Sequence, residues 1–291
     1  MKVSLSYYIT LFVIKLKGVK KIFSQDPIDY KKLRKEDIHE PKGAFFSKSN
    51  ITTFPVKNSL ITEVKKTKKL VIFIHGGAFI SGPSQMHWDA LKEISKQTEQ
   101  TIWMCDYPKA PEHDIVEISN NIDAVFNLAL EQYEAKHITL IGDSVGGTLI
   151  TALTQRLILN KRELPRKIIL ISPVMDATLS NSDIEDLDKI DPMLSKAGVL
   201  SAKKMCAQNH DLNNPLISPI YGSFKNFPHT TLFIATNDIT YADQQLMIEK
   251  MNKAHIDLEV IIGENMPHIW PLLPVMAEAK TALKQLIEII K

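Results

Sequence analysis

From about residue 60 onward, short apolar runs alternate with segments of helical spacing, and this alternation constrains the chain more than any other feature. The runs are Lys69–His75, Thr101–Tyr107, His137–Gly142, Lys167–Ser172, Thr231–Thr236 and Leu258–Ile262. Each is rich in Ile, Val, Leu or Phe and bounded by turn residues, which reads as a strand buried on both faces. Between them, Ala90–Ser95, Ile115–Tyr133, Gly146–Leu159 and Ala242–Ala254 carry helical spacing, and Pro274–Lys291 closes the chain as a further helix. Alternating β and α segments predict an α/β protein: a mostly parallel sheet with helices on both faces. Residues 176–225 break the rhythm. They hold Asp, Ser and Asn clusters, a helical piece near Lys196–Gln208 and a Pro-containing return, an insertion of the kind that forms a lid or cap.

A chain of 291 residues with 44% hydrophobic and 23% charged residues can bury a sizeable core. Its net charge of +2 makes no global case for a nucleic-acid or acidic partner. The charge is uneven, however: residues 1–70 hold 16 Lys/Arg against 6 Asp/Glu. A basic segment of this kind is either a solvated face or one that favours an anionic membrane surface. Within it, Leu5, Ile9, Phe12, Leu16, Val19 and Phe23 recur at spacings of three and four. This stripe predicts a helix docked on the protein, with an interfacial helix resting on a membrane as the alternative. The apolar run of residues 3–14 is too short to span a bilayer, and lysines rather than a small-residue cleavage site follow it. Cys105 and Cys206 lie far apart and suit two reduced thiols in a cytoplasmic protein, with a single disulfide as the alternative.

The chemistry concentrates in two glycine-bearing motifs. Gly142-Asp143-Ser144-Val145-Gly146-Gly147 follows the strand HITLIG and opens a helix. That is the strand–turn–helix setting of a nucleophile elbow, in which the turn is so tight that residues flanking the serine must be small. His75-Gly76-Gly77-Ala78-Phe79 directly follows the strand KLVIFIH. Attack by serine on an ester places negative charge on the carbonyl oxygen, and fixed N–H donors must receive it. The amides of Gly77, Ala78 and Val145, with Gly76 as a further candidate, are the expected oxyanion hole. Of 11 glycines, five sit in these two motifs, where the backbone must approach a ligand. His75 precedes the hole and reads as a histidine that braces the loop.

A serine nucleophile needs a base, and the base needs an orienting acid. In this type of sheet the chain order is Ser, acid, His. After Ser144 the histidines are His210, in the insertion; His229 and His255, each before a strand; and His268, after one. Only His268 lies at the carboxyl ends of the strands, where such sheets carry their active sites. Asp238 follows TLFIAT at the same end and is the expected acid. Asp243 falls inside the next helix, and Glu264 reads as support for the His268 loop. Met86, His87 and Trp88 follow the oxyanion loop and Trp270 follows the base. They are candidates to line the substrate pocket, with ordinary packing as the alternative.

Taken together, HGGAF at 75–79, DYPKAPEH at 106–113, GDSVGG at 142–147, DPMLS at 191–195, NPLISPIYG at 214–222, NDITYAD at 237–243 and MPHIW at 266–270 resemble the hormone-sensitive-lipase-like esterases, a branch of the α/β-hydrolase superfamily. The resemblance runs from about residue 68 to the C-terminus. It implies an eight-stranded sheet, a Ser144–Asp238–His268 triad, and cofactor-free hydrolysis of carboxylic esters with short to medium acyl chains. It also implies a cap built from the N-terminal helices and the insertion. The chain then divides into a helical cap segment at 1–55, core at 56–175, a cap or lid insertion at 176–225 and core at 226–291. Three positions depart from the pattern. Ala78 stands where a third glycine is common, which narrows the alcohol side of the pocket. Pro108 stands where an arginine is frequent, which removes one ion pair. Asn237 and Thr240 change the wording around the acid.

The expected partner is a small-molecule ester, with peripheral membrane contact through the N-terminal helix left open. An amidase, a lipase acting on membrane-associated esters, and a non-catalytic binding protein on the same scaffold are the alternatives. No nucleic-acid-binding module is recognisable, and neither H-E-x-x-H nor paired-cysteine spacing calls for a metal.

Overall fold

The computed structural model describes residues 3–291. Three short helices open the chain: α1 (Leu5–Leu16), α2 (Val19–Phe23) and α3 (Tyr30–Leu33). A hairpin follows, β1 (Ile51–Val56) and β2 (Ser59–Val64). The alternating part is β3 (Leu70–Ile74), α4 (Gln85–Gln97), β4 (Thr101–Asp106), α5 (Ile115–Gln132), β5 (Ile138–Asp143), α6 (Val145–Leu159) and β6 (Lys167–Ile171). The insertion carries α7 (Ile184–Ile190) and α8 (Lys196–Ala207). The chain then closes with β7 (His229–Asn237), α9 (Tyr241–Lys253), β8 (Leu258–Pro267) and α10 (Ala277–Ile290).

The eight strands form one sheet in the order β1-β2-β4-β3-β5-β6-β7-β8. From β4 to β8 every pairing is parallel, whereas β1, β2 and β4 pair antiparallel. Strand alternation divides the core cleanly. Leu70, Ile72 and Ile74 of β3 face one hydrophobic cluster with α5, α6 and α9. Val71 and Phe73 face the other, with α4, α10 and the inner side of α1. Each such fully buried aliphatic side chain contributes about 1.5–3 kcal/mol. Helix starts are fixed by local chemistry as well: Asp114 accepts the Glu117 N–H at 2.9 Å, and the Glu117 carboxylate accepts the Asp114 N–H, a reciprocal cap on α5.

Two expectations need correction. The helical segment ends earlier than residue 55, because β1 starts at Ile51 and joins the sheet. The N-terminal helix docks, but through the side opposite most of the predicted stripe, which is not continuous. Gly18, at φ 65°, breaks it between α1 and α2. In α1 the buried residues are Tyr7, Thr10 and Ile14, while Leu5, Ile9, Phe12 and Leu16 face outward. Only the α2 end of the stripe, Val19 and Phe23, packs inward. Helix α1 is apolar on both sides, so periodicity alone could not say which side the protein covers.

All strands from β4 to β8 present their carboxyl ends along one rim. The chain runs from β3 outward to β4, then returns to place β5 on the other side of β3. The loops after β3 and β5 therefore diverge and open a crevice between them, the position at which open parallel sheets bind ligands.

Candidate active site

Ser144 stands in that crevice, on the turn between β5 and α6. Its backbone, at φ 51° and ψ −122°, lies outside the ordinary regions for a non-glycine residue. Two glycines make the turn possible. A Cβ on Gly146 would stand 2.0 Å from the Ile74 carbonyl oxygen, and one on Gly142 would stand 2.6 Å from the Gly146 backbone. The Ser144 N–H is held by the Ile171 carbonyl at 2.8 Å.

Three side chains from three strand ends meet there. His268 Nδ1–H donates to Asp238 Oδ2 at 2.7 Å, and the Ser144 hydroxyl donates to His268 Nε2 at 2.9 Å. The carboxylate fixes the imidazole tautomer, leaving Nε2 free to accept the serine proton. The other oxygen of Asp238 accepts the Thr240 N–H at 2.8 Å and the Thr240 hydroxyl at 2.7 Å, so the acid cannot rotate away. Asp238 is fully buried, His268 is 3% exposed and Ser144 7%. Burial pulls the His268 pKa down, but the negative charge of Asp238, with Asp191 and Asp143 behind it, more than offsets this and holds it above the ordinary value. Asp243 lies in α9 beside Asn181, and Glu264 is exposed, so neither reaches the imidazole. His229 pairs with Asp257 at 2.9 Å at the start of β7, and His210 pairs with Asp114 in the insertion.

The loop after β3 faces the serine. Gly77 has φ 115°, and a Cβ there would stand 2.1 Å from the Ser81 carbonyl oxygen. Ala78 and Phe79 adopt φ 56° and 67°. Such left-handed backbone costs a non-glycine residue about 1–2 kcal/mol. Among the described residues, the N–H groups of Gly77, Ala78 and Val145 donate to no protein acceptor. Gly76 differs: its N–H donates to Asp143 Oδ1 at 2.9 Å, so it is unavailable to an oxyanion. Gly76 is thereby removed from the expected hole.

Asp143, quoted in the elbow motif without a role, ties the two loops together. Its second oxygen faces His87 Nε2 at 3.4 Å, and the other ring nitrogen of His87 accepts the Ser84 N–H at 2.9 Å. Burial raises the Asp143 carboxyl, yet His87 and the Gly76 N–H outweigh burial and keep it below the usual range. His75 braces the loop as its position suggests. Its ring stacks on Tyr107 at 4.5 Å, and the Tyr107 hydroxyl donates to the His75 carbonyl at 2.9 Å. Burial lowers the His75 pKa to about 4, so the ring is neutral.

The pocket candidates have other partners. His87 is the support of Asp143 just described. Trp88 is buried against Phe46, with its indole N–H on the Ile38 carbonyl at 2.8 Å. Trp270 is buried and donates to the Ile234 carbonyl at 3.3 Å. Met86 lines a groove of about 350 Å³ between α4 and α10, in which no triad residue takes part. Following a site loop in sequence does not decide which way a side chain points.

Two further residues went unassigned in the sequence. Lys109 pairs with Asp106, beside Pro108. Asp191, within the DPMLS stretch, enters from the insertion. One oxygen accepts the N–H groups of Met193 and Leu194, and the other accepts that of Ile239 at 2.9 Å, the residue after Asp238. Burial, then the charge of Asp238, pushes its carboxyl up to about 6.

The family described as having the alpha/beta hydrolase fold matches residues 71–272. An esterase of Acinetobacter venetianus is 28% identical over 242 residues, covering 80% of this chain and 78% of its own. The esterase LipU of Mycobacterium tuberculosis is 28% identical over 259 residues, covering 85% and 86%. Among solved structures, a candidate esterase from Staphylococcus aureus superposes with a TM-score of 0.87 at 27% identity, over 97% of this chain and 98% of that one.

Proposed function

We propose a mechanism for this carboxylic ester hydrolase from the premise that the chain belongs to the α/β-hydrolase-fold family. Ser144 attacks the ester carbonyl while His268 takes its proton. Asp238 orients the imidazole and stabilises its charged form. The oxyanion is received by the free N–H groups of Gly77, Ala78 and Val145, each worth about 3–4 kcal/mol in a preorganised site. Alcohol leaves with the proton from His268. Water then releases the acyl group by the same route.

The observation that carries this reading is the unbroken chain of hydrogen bonds from the Ser144 hydroxyl through His268 to Asp238. Short to medium acyl chains are the proposed substrates, and the Ala78 methyl group limits the bulk of the alcohol. An insertion between β6 and β7 that contributes Asp191 to the acid loop supports its role as a cap. The two cysteines are buried free thiols, in keeping with a reducing compartment such as the cytoplasm. Among the described residues no helix is long and apolar enough to cross a membrane. A second reading, hydrolysis of lipid esters through peripheral contact, is favoured by the exposed apolar side of α1.

The test is hydrolysis of chromogenic esters from acetyl to palmitoyl, with Ser144→Ala beside the wild type. Turnover of short chains that falls by about three orders of magnitude in the variant supports the reading. Equal inertness of both proteins on every ester would remove it.

A further inference from the structure

Helix α1 has two apolar sides, and the fold uses one. At 100° per residue, Leu5, Tyr8, Ile9, Phe12, Val13 and Leu16 fall within an arc of about 140°. All six are exposed, Leu5 at 77%, Leu16 at 70% and Phe12 at 61%. Tyr7, Thr10 and Ile14, on the opposite side, are buried. A surface helix ordinarily turns charged and polar residues outward, and one that is apolar all round is normally covered on every side.

The surrounding charge says what the cover is. Residues 3–24 contain no Asp or Glu. Lys15, Lys17 and Lys21 are exposed where α1 ends and α2 runs, and Lys20 is already paired with Asp188 at 3.2 Å. An apolar strip bordered by unpaired lysines matches the two layers of an anionic lipid surface, hydrocarbon below and phosphate at the headgroups. A second copy would bring the same strip and the same lysines, with no carboxylate from this segment to meet them.

The inner side of α1 connects this surface to the reaction site. The Tyr7 hydroxyl donates to the Asn265 carbonyl at 2.9 Å, three residues before His268. The Asn237 amide, next to Asp238, donates to the same carbonyl at 3.2 Å. One helix diameter thus separates the exposed strip from the loops that hold the base and the acid.

We infer that the outer side of α1 seats the protein peripherally on an anionic bilayer and delivers membrane-partitioned esters to the site beside it. This deepens the ester-hydrolase reading and rests on it for the substrate, but not for the docking.

The experiment is sedimentation of the full chain with phosphatidylcholine vesicles, with and without about 30% phosphatidylglycerol. Hydrolysis of a soluble butyrate ester is followed in parallel. The wild type is expected to sediment with the anionic vesicles. Binding falls at least about tenfold in Phe12→Asp/Leu16→Asp, in Lys15→Glu/Lys17→Glu/Lys21→Glu, and at about 0.5 M salt. Both variants keep soluble-ester turnover within about twofold, which shows that they fold. Wild-type protein that stays in solution with anionic vesicles overturns the docking. So does binding that is indifferent to lipid charge and to both variants. A dimer in light scattering that Phe12→Asp/Leu16→Asp dissolves assigns the strip to a second copy and also overturns it. Vesicle binding by a protein inert on every ester leaves the docking standing and removes the ester-hydrolase reading instead.

Discussion

The strand-end rim and the insertion helix α8 both bury ionisable side chains, but they treat them differently. At the rim, Asp238, Asp143 and Asp191 each accept two or more hydrogen bonds, and the His268 Nε2 acceptor is aimed at Ser144. In α8, the Lys203 amine is fully buried and, among the described residues, has no hydrogen-bond partner, only the ring of Phe79 at 4.3 Å. The rim spends its polar groups on fixing one geometry. The insertion carries an amine whose charged form, when present, is met by a cation–π contact worth about 2 kcal/mol when desolvated. Stability is therefore held back where the insertion meets Phe79 after β3, and secured where Ser144, His268 and Asp238 meet.

The most severe way to break the rim is Asp238→Asn. The amide donates where His268 Nδ1 must donate, so the imidazole flips to the wrong tautomer. A drop in kcat of about 10⁴-fold with little change in Tm is expected, measured by steady-state kinetics beside thermal melts.

Asp191→Asn is milder and more discriminating. It turns an N–H toward that of Ile239 and loosens the acid loop, with an expected loss of about tenfold in kcat. It also removes a negative charge that supports the His268 proton. The base works when neutral, so the acid limb of kcat/KM in the wild type lies above the ordinary histidine value and moves to lower pH in the variant. A residue that only propped the cap would lower Tm and leave the limb where it is.

The smallest effect tests the cap. Burial lowers the Lys203 pKa to about 7. Between that value and the unfolded value near 10.5, the unfolded chain binds a proton that the native state does not, so this group makes stability rise with pH across the window. Below about 7 both states are charged and the full cost is present. Lys203→Met is expected to stabilise the protein by on the order of a few kcal/mol below pH 7, with a gain that shrinks toward pH 10. Melts of both proteins across that range check it, and a gain constant with pH would assign the effect to packing.

What was legible in the sequence follows the same division. Buried parallel strands advertise themselves as unbroken apolar runs, and the elbow and the strand-end positions of Asp238 and His268 follow from where those runs stop. The β1–β2 hairpin was missed because β1 is an edge strand, largely exposed and interrupted by Pro55, so its residues carry no continuous apolar signal. Asp191 carries no signal of its role in the sequence, since its partner Ile239 lies 48 residues away. Gly76 was misjudged because its N–H is claimed by Asp143, a contact that only the meeting of two loops creates. The facing of α1 was illegible for the opposite reason: both sides signal burial.

The anchoring of α1 also bears on how the chain is made. The Ser4 N–H donates to Glu278, 274 residues away, and the Ser6 hydroxyl accepts from the Ala277 N–H. At roughly 5–20 residues per second of synthesis, α1 waits about 15–55 s for the segment that seats it. A helix made well before its anchor is thus among the last of these elements to find its place, and damage to α10 would be felt at α1.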